Sequence, residues 1–194
     1  ICLNWGCIPT KALLKSAQVL KYLQQAEQYG ITVDGSVNVD FSSVVARSRN
    51  IASQMSKGVQ FLLKKNNVDL IAGFGKIEKE KKVRVIKEDG SEKVYEANAI
   101  ILATGARSRE LPQIKQDGKK IIGYREALTL PALPTSMVVV GSGAIGSEFA
   151  YFYASLGVKV TVVEFMPNLV PVEDVEISRH LERAFRKMGI KVMT

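Results

Sequence analysis

The sequence predicts an α/β fold built on parallel strands, and three observations predict it. Met137-Val138-Val139-Val140 runs straight into Gly141-Ser142-Gly143-Ala144-Ile145-Gly146, which opens a helical stretch and is followed by a second apolar strand, Val158 to Val163. That order, strand then G-x-G-x-x-G then helix then strand, is a βαβ unit whose glycines let backbone approach a pyrophosphate at a helix N-terminus. A second apolar run, Ala99 to Ala103, stops at Thr104-Gly105-Ala106 and reads as a central strand. Finally, the N-terminal 67 residues carry two helical periodicities with no strand between them.

The first eleven residues hold both cysteines of the chain, Cys2 and Cys7. On a regular helix five residues give about 7.5 Å of rise plus a lateral offset, so a bonded pair needs a distorted turn. Gly6 supplies backbone freedom, and Pro9 places the start of regular helix near itself. Lys11 follows Cys7 by four residues and shares its face, where a cation favours thiolate. A bare C-x4-C is also compatible with two structural thiols.

From Thr10 to Tyr29, Leu13, Leu14, Ala17, Leu20, Leu23 and Ala26 recur at helical steps, and Gly30 stands at the C′ position. Asp40 is placed to cap a second helix that fades near Asn66-Asn67. Val68 to Ala72 reads as a short buried strand. Lys76 to Lys87 and Glu92 to Tyr95 read as two strands joined by Glu88-Asp89-Gly90-Ser91, with their lysines and glutamates on a solvated face. Pro112, Pro131 and Pro134 mark Arg107 to Ser136 as a domain junction around one short helix, Tyr124 to Leu130. Ser147 to Leu156 reads as the helix after the glycine loop. Glu164 closes the next strand 18 residues after Gly146, where a carboxylate accepts ribose hydroxyls and repels a 2′-phosphate, selecting NAD over NADP. Asp174 to Met188 is a further helix stopped by Gly189, and Ile190 to Met193 begins another parallel strand.

The chain has 194 residues, 46% hydrophobic and 24% charged, with 27 basic against 19 acidic side chains, a net charge of +8. The basic residues are scattered and not interleaved with aromatics, so nucleic acid is not an expected partner. No apolar run approaches the roughly 20 residues of a membrane span and no signal peptide precedes Cys2, so a soluble chain is expected. Two cysteines do not make a secreted disulfide scaffold, and no metal site is expected. His180, the only histidine, sits among Arg179, Glu182 and Arg183 and reads as a surface residue.

Cys2-Leu3-Asn4-Trp5-Gly6-Cys7-Ile8-Pro9-Thr10-Lys11 strongly resembles the redox-disulfide segment of the class I flavin-dependent pyridine nucleotide-disulfide oxidoreductases, most of all the branch that oxidises dihydrolipoamide. Ala103-Thr104-Gly105 and the glycine fingerprint match that family in order and spacing. The resemblance implies two Rossmann-like nucleotide-binding domains with doubly wound parallel sheets, both incomplete, with a β-meander inserted in the first. Residues 1–112 would belong to the FAD-binding domain and 113–194 to the NAD-binding domain.

The family's members are homodimers that bind FAD and NAD and pass electrons from dihydrolipoamide through the disulfide and flavin to NAD, serving the lipoyl domains of 2-oxo acid dehydrogenase complexes. By resemblance, Cys2 is the interchange thiol and Cys7 the charge-transfer thiol. Lys11 lies near flavin N5 and forms a partly buried pair with Glu148. Gly75, Thr104, Gly105 and Ala106 fall on FAD-contacting positions. Gly141, Ser142, Gly143, Ala144, Ile145, Gly146, Ser147, Glu148 and Glu164 fall on NAD-contacting ones. The first FAD fingerprint would precede Cys2. The second FAD segment and the dimerisation domain with its catalytic His-Glu pair would follow Thr194, so an internal piece, inactive by itself, is expected. Its compartment would be a bacterial cytoplasm or the mitochondrial matrix. A sister reductase for glutathione or mercuric ion, and a nucleotide-binding module with structural cysteines, are the competing readings.

Overall fold

The computed structural model describes residues 1–194. In chain order it has α1 (Cys2–Trp5), α2 (Cys7–Gln24), a single 3₁₀ turn (Ala26–Tyr29) and α3 (Phe41–Lys65). Strands β1 (Phe74–Glu78), β2 (Lys82–Ile86) and β3 (Glu92–Glu96) come next. After α4 (Tyr124–Ala127) the chain alternates through β4 (Ser136–Val140), α5 (Ala144–Ser155), β5 (Lys159–Val163), α6 (Val175–Lys187) and β6 (Lys191–Met193). It divides into two compact units, one of residues 1–54 with 108–194 and the other of 55–107. No helix is long and apolar enough to cross a membrane.

The first unit carries a parallel sheet in the order β4-β5-β6, with Val140 opposite Val163 and Val163 opposite Met193. Helices α5 and α6 make the crossovers that parallel neighbours require. The core lies between sheet and helices: Phe149, Phe152 and Tyr153 of α5 pack with Val160 and Val162 of β5, Phe185 of α6 and Leu13 and Ala17 of α2. Tyr153 is fully buried, and its hydroxyl donates to Ala127 O at 2.6 Å, which ties α5 to α4 and meets the one polar demand of the ring. The apolar run Met137 to Val140 reads in the sequence as a buried strand, but β4 is only half-buried, since Val138 is 65% and Val140 56% exposed. Within this chain the helices cover one face of the sheet, and these two valines point to the other.

Two further expectations need correction in this unit. The helix expected over 10–29 ends at Gln24 and gives way to the 3₁₀ turn before Gly30, at φ 70°, closes it. The junction helix is a single turn, Tyr124–Ala127, not a run to Leu130. Asp40 does cap α3: its Oδ2 accepts from Ser43 Oγ at 2.6 Å and its Oδ1 from Ser42 Oγ at 2.7 Å and Ser43 N at 3.1 Å, and these donors hold its carboxyl down to about 2.

The second unit is an antiparallel meander, β1-β2-β3, beyond the C-terminal part of α3. The expected single strand over 76–87 is a hairpin, turning at Lys79-Glu80-Lys81-Lys82 with Glu80 and Lys81 both at positive φ, 59° and 56°. Neither residue type announces such a turn, which is why the pattern hides it. Arg84 on the middle strand bridges to Glu78 and Glu92 on its two neighbours at 2.6 and 2.7 Å, so the charged run is a set of cross-strand pairs. Neither Val68 to Ala72 nor Ala99 to Ala103 is a strand, and Ile101 and Leu102 stand 90% and 69% exposed. An extended apolar segment becomes a buried strand only beside a partner edge, and nothing in this unit pairs with either.

Candidate functional site

The two cysteines flank a break between helices. Cys2 opens α1 and Cys7 opens α2, with Gly6 between them. A Cβ on Gly6 would meet Cys2 Cα at 3.1 Å, so the fold-back needs glycine for close approach. The Gly6 carbonyl accepts both the N–H and the hydroxyl of Thr10, at 3.1 and 2.8 Å. Regular helix begins at Cys7, two residues earlier than expected, because Pro9 falls in the first turn where an N–H has no intrahelical partner to lose.

Both thiols are free and exposed. The neighbouring Cys2 side chain raises the Cys7 pKa above its ordinary value, desolvation adds to the rise, and the Lys11 charge pulls it back by less. The expected thiolate preference at Cys7 is therefore outweighed, in the reduced pair, by its neighbour.

Lys11 Nζ forms an ion pair with Glu148 Oε1, joining α2 to the second turn of α5. The pair is open to solvent at the lysine end, with side-chain exposures of 61% and 30%, so it contributes about 0–1 kcal/mol to stability. A groove of about 480 Å³ beside it is lined by Lys11, Leu14, Ser147, Glu148, Tyr151 and Phe185 among others.

The glycine loop has the shape a dinucleotide needs. Gly141 turns at φ 95°, and a Cβ at Gly141 or Gly143 would meet nothing within 4 Å, leaving open space above the N-terminus of α5. At Gly146 a Cβ would lie 2.1 Å from Gly141 O, so this glycine lets α5 pack down on the loop. The helix starts at Ala144, inside the motif and three residues before the expected Ser147.

Glu164 follows β5 and reaches back to this loop. Its Oε2 accepts from Ser142 N and Oγ at 2.8 and 2.7 Å, and Oε1 accepts from Met166 N at 2.9 Å. Burial opposes its ionisation, but these donors outweigh it and hold the carboxyl below its ordinary value. A carboxylate has about four acceptor sites, so three donors leave room for a ribose hydroxyl. Ser142 is itself buried: its Oγ accepts from Val170 N at 3.0 Å and its carbonyl accepts from Ser147 Oγ at 2.8 Å.

The first unit thus brings together Cys2, Cys7, Lys11 and Glu148, and assembles Gly141 through Ser147 with Glu164. Gly75, Thr104, Gly105 and Ala106 lie in the second unit. Gly75 sits in β1 opposite Val85, and Thr104 to Ala106 are exposed coil with Gly105 at φ 82°, so by themselves they form no flavin cradle. The sequence reading passed over Arg49 and Arg125, which converge on Trp5; an arginine on a helix carries no signal that distinguishes it from a solvated one.

A model of the pyridine nucleotide-disulphide oxidoreductase family matches residues 1–194. The chain is 48% identical to a dihydrolipoyl dehydrogenase of Zymomonas mobilis over 194 residues, all of this chain and 41% of that protein. It is 50% identical to one of Chlorobaculum parvum over 192 residues, 99% of this chain and 41% of that protein. Among solved structures it is similar to LpdA of Mycobacterium tuberculosis, with a TM-score of 0.90, 31% identity, and coverage of 99% of this chain and 42% of the other. The HOCl-induced flavoprotein disulfide reductase RclA of Escherichia coli gives a TM-score of 0.81 at 26% identity, with coverage of 99% and 40%. The chain therefore spans about two fifths of the length of these relatives.

Proposed function

We propose a function from one premise: the chain belongs to the pyridine nucleotide-disulphide oxidoreductase family. The full-length parent oxidises dihydrolipoamide to lipoamide and reduces NAD, as the dihydrolipoyl dehydrogenase of a 2-oxo acid dehydrogenase complex. It works as a homodimer in a bacterial cytoplasm or, alternatively, the mitochondrial matrix. Residues 1–112 belong to its FAD-binding domain and 113–194 to its NAD-binding domain, and this portion alone is inactive. The observation that carries the reading is the placement of Cys2 and Cys7 at the starts of two helices folded back on each other at Gly6, with Lys11 one turn after Cys7 and paired with Glu148.

In the oxidised parent a thiolate of the substrate attacks Cys2 Sγ, the Cys2–Cys7 bond breaks, and Cys7 leaves as thiolate. The second substrate thiol then closes the lipoamide ring and releases Cys2. Two electrons have passed to the cysteine pair. Lys11 stabilises the Cys7 thiolate by its charge, and Glu148 keeps the ammonium directed at that end of α2. Bound FAD would supply the electron relay between this dithiol and the nicotinamide; in the first unit Lys11 would hold it, and in the second Gly75, Thr104, Gly105 and Ala106 would contact it. The N–H groups of Gly143, Ala144 and Ile145 would meet the NAD pyrophosphate, and Glu164 would hold the adenosine ribose.

Thiol titration of the full-length protein with and without NADH tests the reading. Two additional reactive thiols per chain are expected on reduction. A count that NADH does not change means that the cysteines are structural and the chain is part of a nucleotide-binding module only.

The sister reductases are separated by cofactor choice. Glu164→Ala in the full-length protein is expected to weaken NAD about 10–100-fold, the range for hydrogen bonds to a charged group, while NADP binding holds or improves. Titration of both nucleotides checks it, and equal loss of both removes Glu164 from the ribose site.

A further inference from the structure

Trp5, the only tryptophan of the chain, stands in the redox turn between the two cysteines. Two guanidiniums from different elements reach the same indole. Arg49 Cζ, from α3, lies 4.3 Å from its ring centroid, and Arg125 Cζ, from α4, lies 5.3 Å away. Both distances fall within cation–π range. Arg49 also takes hold of the backbone one residue earlier, its Nη1 donating to Asn4 O at 2.6 Å. Arg125 is itself steadied by Tyr124, whose hydroxyl accepts from Arg125 Nε at 3.3 Å.

This grip adds to the packing of Trp5 against the core in anchoring α1. That helix is a single turn, too short to persist unaided, it buries no residue, and Gly6 uncouples it from α2. Cys7 rides on an 18-residue helix whose Leu13 and Ala17 are anchored in the core, whereas Cys2 rides on α1. The distance between the sulfurs is therefore set by whatever fixes α1.

We propose that Arg49 and Arg125 are positioning residues of the redox pair: by clamping the Trp5 indole and the Asn4 carbonyl they hold α1 so that Cys2 stays within bonding reach of Cys7. This deepens the redox reading and rests on it. The disulfide constrains the turn by itself, and the dithiol does not. The clamp removes freedom mainly from the dithiol, which favours ring closure. Losing it shifts the equilibrium toward the dithiol. A purely electrostatic role for the two cations has the opposite sign, since they favour thiolate over disulfide, and their removal would then stabilise the disulfide.

The test is the exchange of the full-length holoprotein with dithiothreitol, in which the Cys2–Cys7 disulfide takes two electrons and two protons and dithiothreitol closes to its cyclic disulfide. Samples are equilibrated without oxygen, quenched in acid, alkylated and weighed by mass spectrometry. Trp5→Leu, which keeps apolar bulk without a π face, is expected to shift the constant about 5–30-fold toward dithiol. Arg49→Met shifts it the same way. Trp5→Phe restores it to within about threefold, because a cation still finds a ring face. If Arg49→Met does not fold, the Trp5 pair of variants decides alone. A constant that Trp5→Leu leaves within about twofold of the parent's, or moves toward disulfide, overturns the clamp. A parent protein in which Cys2 and Cys7 never form a disulfide overturns the redox reading itself.

Discussion

Cys2→Ser in the full-length parent is expected to lower dihydrolipoamide-dependent NAD reduction at least ~10³-fold, the scale on which enzymes lose turnover when a reacting nucleophile is deleted. The reason is stoichiometric as well as kinetic. Two electrons are accepted by breaking one S–S bond, and a hydroxyl beside Cys7 offers no bond to break. The substitution is nearly isosteric, and Cys2 is exposed at the start of a helix that buries nothing, so folding is not at stake. Oxidation of NADH by an artificial quinone acceptor, which bypasses the thiols, should persist near the parent rate. Steady-state kinetics with both acceptors checks the pair of outcomes. Residual dihydrolipoamide activity above a tenth of the parent's would remove Cys2 from the reaction, and loss of both activities together would point to a damaged nucleotide site instead.

Gly146→Val is expected to be the most damaging change in the nucleotide loop. Its Cβ would lie 2.1 Å from Gly141 O and 3.1 Å from Val139 Cγ1, and both neighbours belong to the strand and turn that α5 rests on. Relief requires α5 to lift off the loop, which overpacking data put at about 1–3 kcal/mol, or a fall of roughly 2–12 °C in melting temperature. Lifting α5 also withdraws its N-terminal N–H groups from the pyrophosphate, so NAD affinity should fall more than about tenfold. Gly143→Ala makes the contrast. Its Cβ meets nothing in the structure, so the melting temperature should hold, yet it intrudes on the space that the pyrophosphate needs and NAD should weaken. Calorimetry and NAD titration on both variants separate packing from ligand contact. A Gly143→Ala protein that binds NAD normally would put the pyrophosphate elsewhere.

Much of the chain was decided locally, and the sequence alone was enough there. The strand, glycine loop and helix of residues 136–155 are specified by short-range requirements: β-branched residues for the strand, a positive φ at Gly141, and a helix that opens within the glycine motif, at Ala144. The Asp40 cap, the Asp89-Gly90 hairpin turn and the Gly189 stop are of the same kind, each set by one side chain and its nearest backbone. The fold-back at Gly6 belongs here too. Lys11 meeting Glu148 came from resemblance, and 137 residues separate them, so no periodicity could have joined them. Tertiary structure decided the rest. Val68 to Ala72 and Ala99 to Ala103 have the composition of strands but no partner edge within their unit, and a strand is a property of a pair. The turn at Glu80-Lys81 forms because cross-strand pairing over Phe74 to Ile86 imposes positive φ on residues that do not favour it. Glu164 was legible as an acid after a strand, but its commitment to Ser142 follows only once β5 lies beside β4. Arg49 and Arg125 converge on Trp5 only after α3 and α4 have docked. A sequence records what each residue can do with its neighbours along the chain; which distant group it does it with is settled by packing.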